Sequence, residues 1–414
     1  MEEPMLSGPI ALTWDYCPHE LLWIIFKYCS TPCLLSCMTV NRRWKAVVLD
    51  FIEFHSLWPK MFALTENGGR TFKRKSVLDC KDLFFNTILW RFIPKAKIGL
   101  RHTYSLRGIT SIQVYKEQLI MTAVGPTDTL LINFDMTNTE STASSIFTAR
   151  KVDLRENDYM IVYHETSLTA YGKEKPGGES NDSLMFVMQD VHMFRLHDNV
   201  CYAITKRHVV WELTWVSSVK RWDIKSRGRF YGSVHDTVTD MNVYNGMVCL
   251  VTKLGFLYCE DVEASSYNRV NRHNLVPRLQ DSFVLVLFNE RGVAISVRNS
   301  NQRVKFCQEF ESNFIWLECE EMTCATEHGE VLFIGYKDGT VAICTPRTMS
   351  STDGKVGRLF NVRDFDMSIE EPSVLAVEVF EDKLSHHLLV ATRDKLLQLL
   401  ITYPDEIRDS YGYE

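Results

Sequence analysis

The sequence predicts a small all-α module and a helical linker, followed by an all-β domain of propeller type. Three observations carry this. Up to about Phe92 the apolar residues recur at helical spacing, and from about His102 they fall in short strands separated by turn residues. A strand–turn–strand–turn–strand unit then recurs at roughly 40–57 residues, the length of a propeller blade.

The helices come first. Pro18 suits the first turn of a helix, and Leu21, Leu22, Ile25, Phe26 and Cys29 make its apolar face. Ser30-Thr31 before Pro32 opens a second helix carrying Leu34, Leu35 and Met38. Asn41 can cap a third that carries Trp44, Val47 and Val48. Three helices in about 35 residues have too little interior to stand alone, so this module needs something to pack against. Val77 to Ile93 reads as one further amphipathic helix, ending before Pro94.

The clearest β unit runs Thr239–Tyr244, Asn245-Gly246, Met247–Val251, Gly255 and Phe256–Cys259. Asn-Gly supplies the positive φ angles of a type I′ hairpin turn. A second is Val331–Gly335, Lys337-Asp338-Gly339, Thr340–Cys344. Central strands recur near Leu119, Ile161, Cys201, Met247, Val293, Val331 and Leu388, which fits seven blades, with six or eight left open. A β-sandwich or a pair of β domains is the competing architecture. The last unit, with strands 374–379, 388–392 and 395–401, lacks an outer strand. Residues 102–106, just before the first unit, are expected to supply it and so close the ring. A fragment from about 101 to 414 is then expected to fold by itself.

Composition narrows the function classes. The formal charge is -6, which argues against a nucleic-acid binder. The charge is uneven: residues 61–110 hold ten Lys/Arg and three Asp/Glu (+7), and 111–414 hold 31 and 43 (-12). The start has no secretory pattern, and no apolar run reaches a membrane span. The 12 cysteines lack a paired framework and read as reduced, buried thiols, so a cytoplasmic or nuclear location is expected.

The sequence carries no catalytic signature. His19-Glu20-Leu21-Leu22-Trp23 lacks the second His of a zinc-protease helix, and there is no Walker loop, nucleophile elbow or dinucleotide fingerprint. Cys29, Cys33 and Cys37, four apart and interrupted by Pro32, read as structural or interface thiols. Cys319 and Cys324 read as strand residues, and His386-His387 as an exposed loop turn. No catalytic residue, metal site or cofactor is expected. Polar tracts at 172–183 and 350–355 read as surface loops, and 404–414 as a frayed tail.

The segments Cys17-Pro18-His19-Glu20-Leu21-Leu22, Ile25-Phe26-Lys27-Tyr28, Leu34-Leu35 and Val40-Asn41-Arg42-Arg43-Trp44 resemble, in order and spacing, the F-box motif. Cys17 and Cys29 replace the usual Leu, and Asn41 the usual Cys. Followed by a helical linker, Ser105-Leu106-Arg107-Gly108 and repeated strands, the layout is similar to F-box proteins with a WD-repeat-like propeller; Trp222-Asp223 is the one Trp-Asp dipeptide within the repeated strands. The resemblance implies an F-box at about 14–50, a linker at 51–100, a propeller at 101–403 and a tail at 404–414. It further implies docking on a Skp-type adaptor and, through it, a cullin. Pro18, Leu21, Leu22, Ile25, Phe26, Leu34, Leu35, Val40 and Trp44 would build and dock the module. The implied role is a non-catalytic substrate receptor of a ubiquitin ligase, feeding proteasomal degradation, with no nucleic acid or membrane involved. A rival is a non-ligase adaptor complex in which the propeller is a scaffold. For a protein substrate, possibly phosphorylated, the basic candidates are Arg207, Arg221, Arg227 and Arg229, flanked by Lys206, His208 and Lys220, with Arg269, Arg272 and His273 farther on.

Overall fold

The computed structural model describes residues 17–65, 79–105 and, between 107 and 410, the strands, short helices and connecting residues named below. Four helices open it: α1 (His19–Phe26), α2 (Thr31–Met38), α3 (Arg42–Phe54) and α4 (Trp58–Thr65). Pro18 sits at the N-cap of α1, where its missing N–H costs nothing. Asn41 caps α3, its side-chain oxygen accepting from the Trp44 N–H at 2.8 Å. The linker helix is Cys80–Trp90, shorter than the expected Val77–Ile93 because Asp79 caps it by accepting from the N–H groups of Lys81 and Asp82. A 3₁₀ turn at Ile93–Lys95 leads into β1 (Lys97–Ser105).

Antiparallel four-stranded meanders follow. The first is β2–β5 (Ile109–Tyr115, Gln118–Val124, Thr129–Asp135, Ser141–Ile146) and the second β6–β9 (Lys151–Arg155, Tyr159–His164, Ser167–Gly172, Ser183–Met188). The third is β10–β13 (Val191–His197, Val200–Thr205, Val209–Val216, Arg221–Arg229) and the fourth β14–β17 (Val238–Tyr244, Met247–Thr252, Leu257–Asp261, Ser266–Arg269). An eight-stranded sheet contains two more, β18–β21 (Ser282–Phe288, Gly292–Arg298, Val304–Gln308, Phe314–Leu317) and β22–β25 (Met322–His328, Val331–Tyr336, Thr340–Cys344, Arg358–Asn361). Among the described residues they share one parallel pair, Arg298 with Met322, so they are two meanders touching at a seam. The last, β26–β28 (Ala376–Glu381, His386–Ala391, Lys395–Thr402), takes β1 as its fourth strand. The described strands thus form seven four-stranded units, five separate and two joined.

First strands of successive units lie side by side, among them β10 with β14, β14 with β18, and β22 with β26, and β26 also meets β2. Radial four-stranded meanders with their first strands toward a common centre are the propeller arrangement. The expected closing strand is present and longer than 102–106: β1 pairs with β28 from Lys97–Thr402 to Ser105–Lys395, with a bulge between Leu100 and His102. It therefore begins before the expected boundary at 101. The hairpin at Lys337-Asp338-Gly339 needs its glycine, which has φ +91° and would bring a Cβ to 2.7 Å from Pro372.

Outer strands such as Ser141–Ile146 and Arg221–Arg229 complete the units; they are polar and carry little hydrophobic signal in the sequence. Three sequence expectations change. His386 and His387 are fully buried at the start of β27, not in an exposed turn, because polar partners wait for them inside. Asp405–Ser410 is helical and Ile407 packs against the core, so the tail docks in part. The linker is no separable rod: one core runs from Leu22, Phe26 and Val48 through Trp58, Phe84 and Trp90 into Phe333, Val379 and Leu388. The Asn245-Gly246 turn, residues 173–182, and the side chains of Arg272, His273 and Cys319 lie outside the described residues.

Candidate functional site

The helical module has two apolar faces. Leu22 and Phe26, four apart on α1, are buried with Leu34 and Met38 of α2 and Val47, Val48 and Phe51 of α3. Phe26 meets Trp44 and Phe51 edge-on, at ring separations of 5.8 and 5.9 Å. The second face is open: Leu21 is 50% exposed, Ile24 51%, Ile25 36% and Tyr28 87%. Leu21, Ile24 and Ile25 stand at i, i+3 and i+4 on one face of α1, and Tyr28 follows in the turn after it. Pro18 is exposed one turn before them, and Val40, 57% exposed, lies at the α2–α3 junction.

The nine docking candidates therefore divide. Pro18, Leu21, Ile25 and Val40 are exposed, Leu35 and Trp44 are half-buried, and Leu22, Phe26 and Leu34 are interior. The last three build the module rather than present it, so a charge placed at Leu22 or Phe26 tests folding before it tests docking. Ile24 was missed by the motif comparison. Its spacing from Leu21 and Tyr28 was the available signal.

The module is held to the propeller by a buried polar knot. Trp90, fully buried, stacks on His386 at 4.1 Å with the rings 8° from parallel. Its indole Nε1–H donates to Glu381 Oε1. His328 Nε2 lies 2.9 Å from the same oxygen and, facing an acceptor-only carboxylate, donates to it. The Tyr403 hydroxyl and His386 Nδ1 are 2.8 Å apart. Burial works to raise the Glu381 carboxyl, but His328, His386 and the Trp90 indole together hold it below the ordinary carboxylate range. Burial pushes His386 down to about 4. Asn86 donates to the Asp382 carbonyl at 3.3 Å, and Arg358 to the Ala96 carbonyl.

These attachments fix which end of the propeller faces the helices. Glu381, Asp382 and His328 lie at connections between first and second strands, and Arg358 begins a fourth strand. All belong to the end where strands one–two and three–four join. The opposite end gathers the connections between strands two and three.

The four basic substrate candidates do not cluster. Arg207 lies in the β11–β12 turn, and Arg229 ends β13 opposite Val209, so both stand at the end away from the helices. Arg229 also rests 5.7 Å from the Tyr231 ring, an exposed aromatic the sequence reading passed over. Arg221 starts β13 beside Val216 at the helix-side end, about 26 Å from Arg229 at ~3.3 Å per strand residue. Arg227 is engaged elsewhere: its guanidinium meets Glu260 at 2.8 Å and Glu212 at 3.2 Å, tying the third unit to the fourth. The role of a ligand-reading arginine is not carried over to it.

Ser385, His387 and Asp382 have the composition of a hydrolase triad without its wiring. Ser385 Oγ (2.9 Å) and Asp382 Oδ2 (3.1 Å) both approach His387 Nε2, so the ring cannot relay a proton between them. Among the described residues no three His, Cys, Asp or Glu side chains are grouped to hold a metal ion, and no helix is long and apolar enough to cross a membrane.

Residues 14–62 match the family model described as F-box-like. Among solved structures the chain is similar to a computationally designed protein, Ika8, at 12% identity and a TM-score of 0.49, with 74% of this chain and 98% of that one covered. It is also similar to the Dos1 propeller, at 9% identity and a TM-score of 0.49, with 74% and 95% covered. No curated protein matches the chain in sequence.

Proposed function

Starting from the F-box-like domain at residues 14–62, we propose that this chain is the substrate-recognition subunit of a Skp-cullin-F-box ubiquitin ligase. The observation that carries the reading is the open stripe of Leu21, Ile24 and Ile25 on a helix whose other face is already packed, continued by exposed Tyr28 in the turn after it. F-box domains generally bind Skp1-type adaptors, and an exposed apolar stripe of this size on a small helical module fits such a partner. Pro18, Val40 and half-buried Leu35 and Trp44 border the proposed contact. The propeller binds the protein target, and the shared core fixes its distance from the adaptor. The subunit does no bond chemistry; it raises the effective concentration of the target near a ubiquitin-loaded enzyme. The target face is assigned to the end opposite the helices, with Arg207, Arg229 and Tyr231 as its first probes.

The test is co-purification with the adaptor and cullin from cells expressing wild type or the pair Leu21→Asp, Ile25→Asp. Because both positions are exposed, the variant should melt with wild type yet lose the adaptor. Undiminished adaptor recovery refutes the docking face. Recovery of the adaptor without a cullin or ubiquitylated clients replaces the ligase reading with a non-ligase scaffold.

A further inference from the structure

We propose that Cys249 and Cys259 form a dithiol site that hydrogen peroxide closes, reversibly, to a disulfide across the fourth blade. The two residues are directly opposed in the antiparallel β15–β16 pair, with their sulfurs 3.4 Å apart. Opposed residues in such a ladder have Cα atoms about 4.5–5.5 Å apart, inside the ~4.4–6.8 Å that a disulfide spans. Closing the bond brings the sulfurs about 1.4 Å nearer, a shift within reach of side-chain rotation.

Cys37 is in hydrogen-bond contact with Cys29, but no other two described thiols are opposed in a strand ladder. Cys33 and Cys37 are one turn apart on α2, where Cβ atoms lie about 5–6 Å apart, beyond the ~3.5–4.5 Å of a disulfide. Cys201 and Cys344 are buried on different blades.

Exposure assigns the order of events. Cys259 is half-buried and meets the oxidant first, whereas Cys249 is fully buried beneath it. The contact with Cys259, together with burial, pushes the Cys249 thiol well up, which suits a group that waits as the thiol. The Cys259 thiolate attacks peroxide: an S–O bond forms, the O–O bond breaks, and the leaving hydroxide takes a proton to become water. The Cys249 sulfur then attacks the sulfenic sulfur, the S–S bond forms, the S–O bond breaks and a second water leaves. Two thiols lose two electrons and two protons, and one peroxide becomes two waters.

The site lies at a seam. Glu260, next to Cys259, accepts from the Val248 N–H and holds Arg227 of the third blade. Closure would therefore staple the hairpin on which that inter-blade ion pair is mounted.

The experiment treats the full chain with hydrogen peroxide, alkylates remaining thiols under denaturing conditions and maps the peptides by mass. The expected product is a cross-linked Cys249–Cys259 peptide, two hydrogens lighter than its parts and restored by dithiothreitol. Cys259→Ser should abolish it, Cys33→Ser should leave it unchanged, and Cys249→Ser should leave a sulfenic acid on Cys259 that dimedone traps. Both thiols still alkylated at a peroxide dose that oxidises Cys33, or Cys259 driven to sulfinic acid with Cys249 untouched, overturns the proposal. The mapping on wild type decides it even where a variant fails to fold.

Discussion

Trp90→Ala should unfold most of this protein's stability from a single position between the helices and the propeller. The indole is fully buried, stacked on His386 and bonded to Glu381. A buried Trp removes about 150–250 Å² from water, and at ~25 cal/mol per Å² that area is worth about 4–6 kcal/mol. Truncations of this kind cost about 3–5 kcal/mol once partial collapse is included. Loss of the donor to a buried carboxylate adds about 1.5–3 kcal/mol, part of which His328 offsets by remaining on the same oxygen. Against a total of roughly 5–15 kcal/mol for a folded domain, the variant should be barely stable. Trp90→Phe keeps most of the area and should cost about 1.5–3 kcal/mol, isolating the hydrogen bond. Urea titration of the full chain by circular dichroism, with hydrogen exchange across residues 376–402, reads the effect on the sheet itself. If Trp90→Ala leaves the sheet's midpoint unchanged while only the helices loosen, the keystone reasoning is wrong. The fragment 101–414 makes the complementary test. It loses Trp90 and the first four residues of β1, so it should be much less stable than the expectation of an independent propeller implies.

Deleting residues 97–105 should destabilise the whole ring rather than fray its start, because it exposes the edge of β28; a normal melting temperature with lost signal only near residue 109 would contradict this. Arg227→Ala strands Glu260, whose side chain is buried, and should cost about 3–5 kcal/mol, whereas Arg229→Ala on the exposed end should stay within about 0.5 kcal/mol. Equal effects of the two in thermal melts would refute the division between them. His386 has a folded-state pKa depressed to about 4 from an ordinary value of 6.5, so its contribution is whole above pH 6.5 and is lost as pH falls toward 4, the unfolded chain taking the proton first. Stability should drop by about 2 kcal/mol between pH 6.5 and 5 at ~1.4 kcal/mol per unit, and His386→Gln should flatten that slope; an unchanged slope sinks the assignment.

The sequence alone determined the order of the elements and the identity of the module. Helical spacing around Leu22, Phe26 and Trp44, the Asn41 cap, and the apolar central strands of each unit are local patterns, set by side chains three to four or two residues apart. Even the missing strand of the last unit was legible, since a unit one strand short calls for a strand from elsewhere, and Lys97–Ser105 supplies it.

Tertiary structure decided everything that depends on residues distant in the chain. It sorted Leu22 and Phe26 to the interior and left Leu21, Ile24 and Ile25 outside, a choice that turns on what α3 covers and not on hydrophobicity. It took Arg227 out of the set of surface arginines, because Glu212 and Glu260 face it from a neighbouring strand and a neighbouring blade. It also made His386 and His387 interior residues. Two adjacent histidines look solvent-seeking in sequence, where burial of unpaired imidazoles is costly. Their partners Tyr403, Asp382 and Arg101 come from a strand end, a hairpin and β1, and Trp90 comes from a helix nearly 300 residues earlier. Polar burial is tolerated only where such partners converge, and convergence across that length of chain is a property of the folded molecule, not of any local pattern.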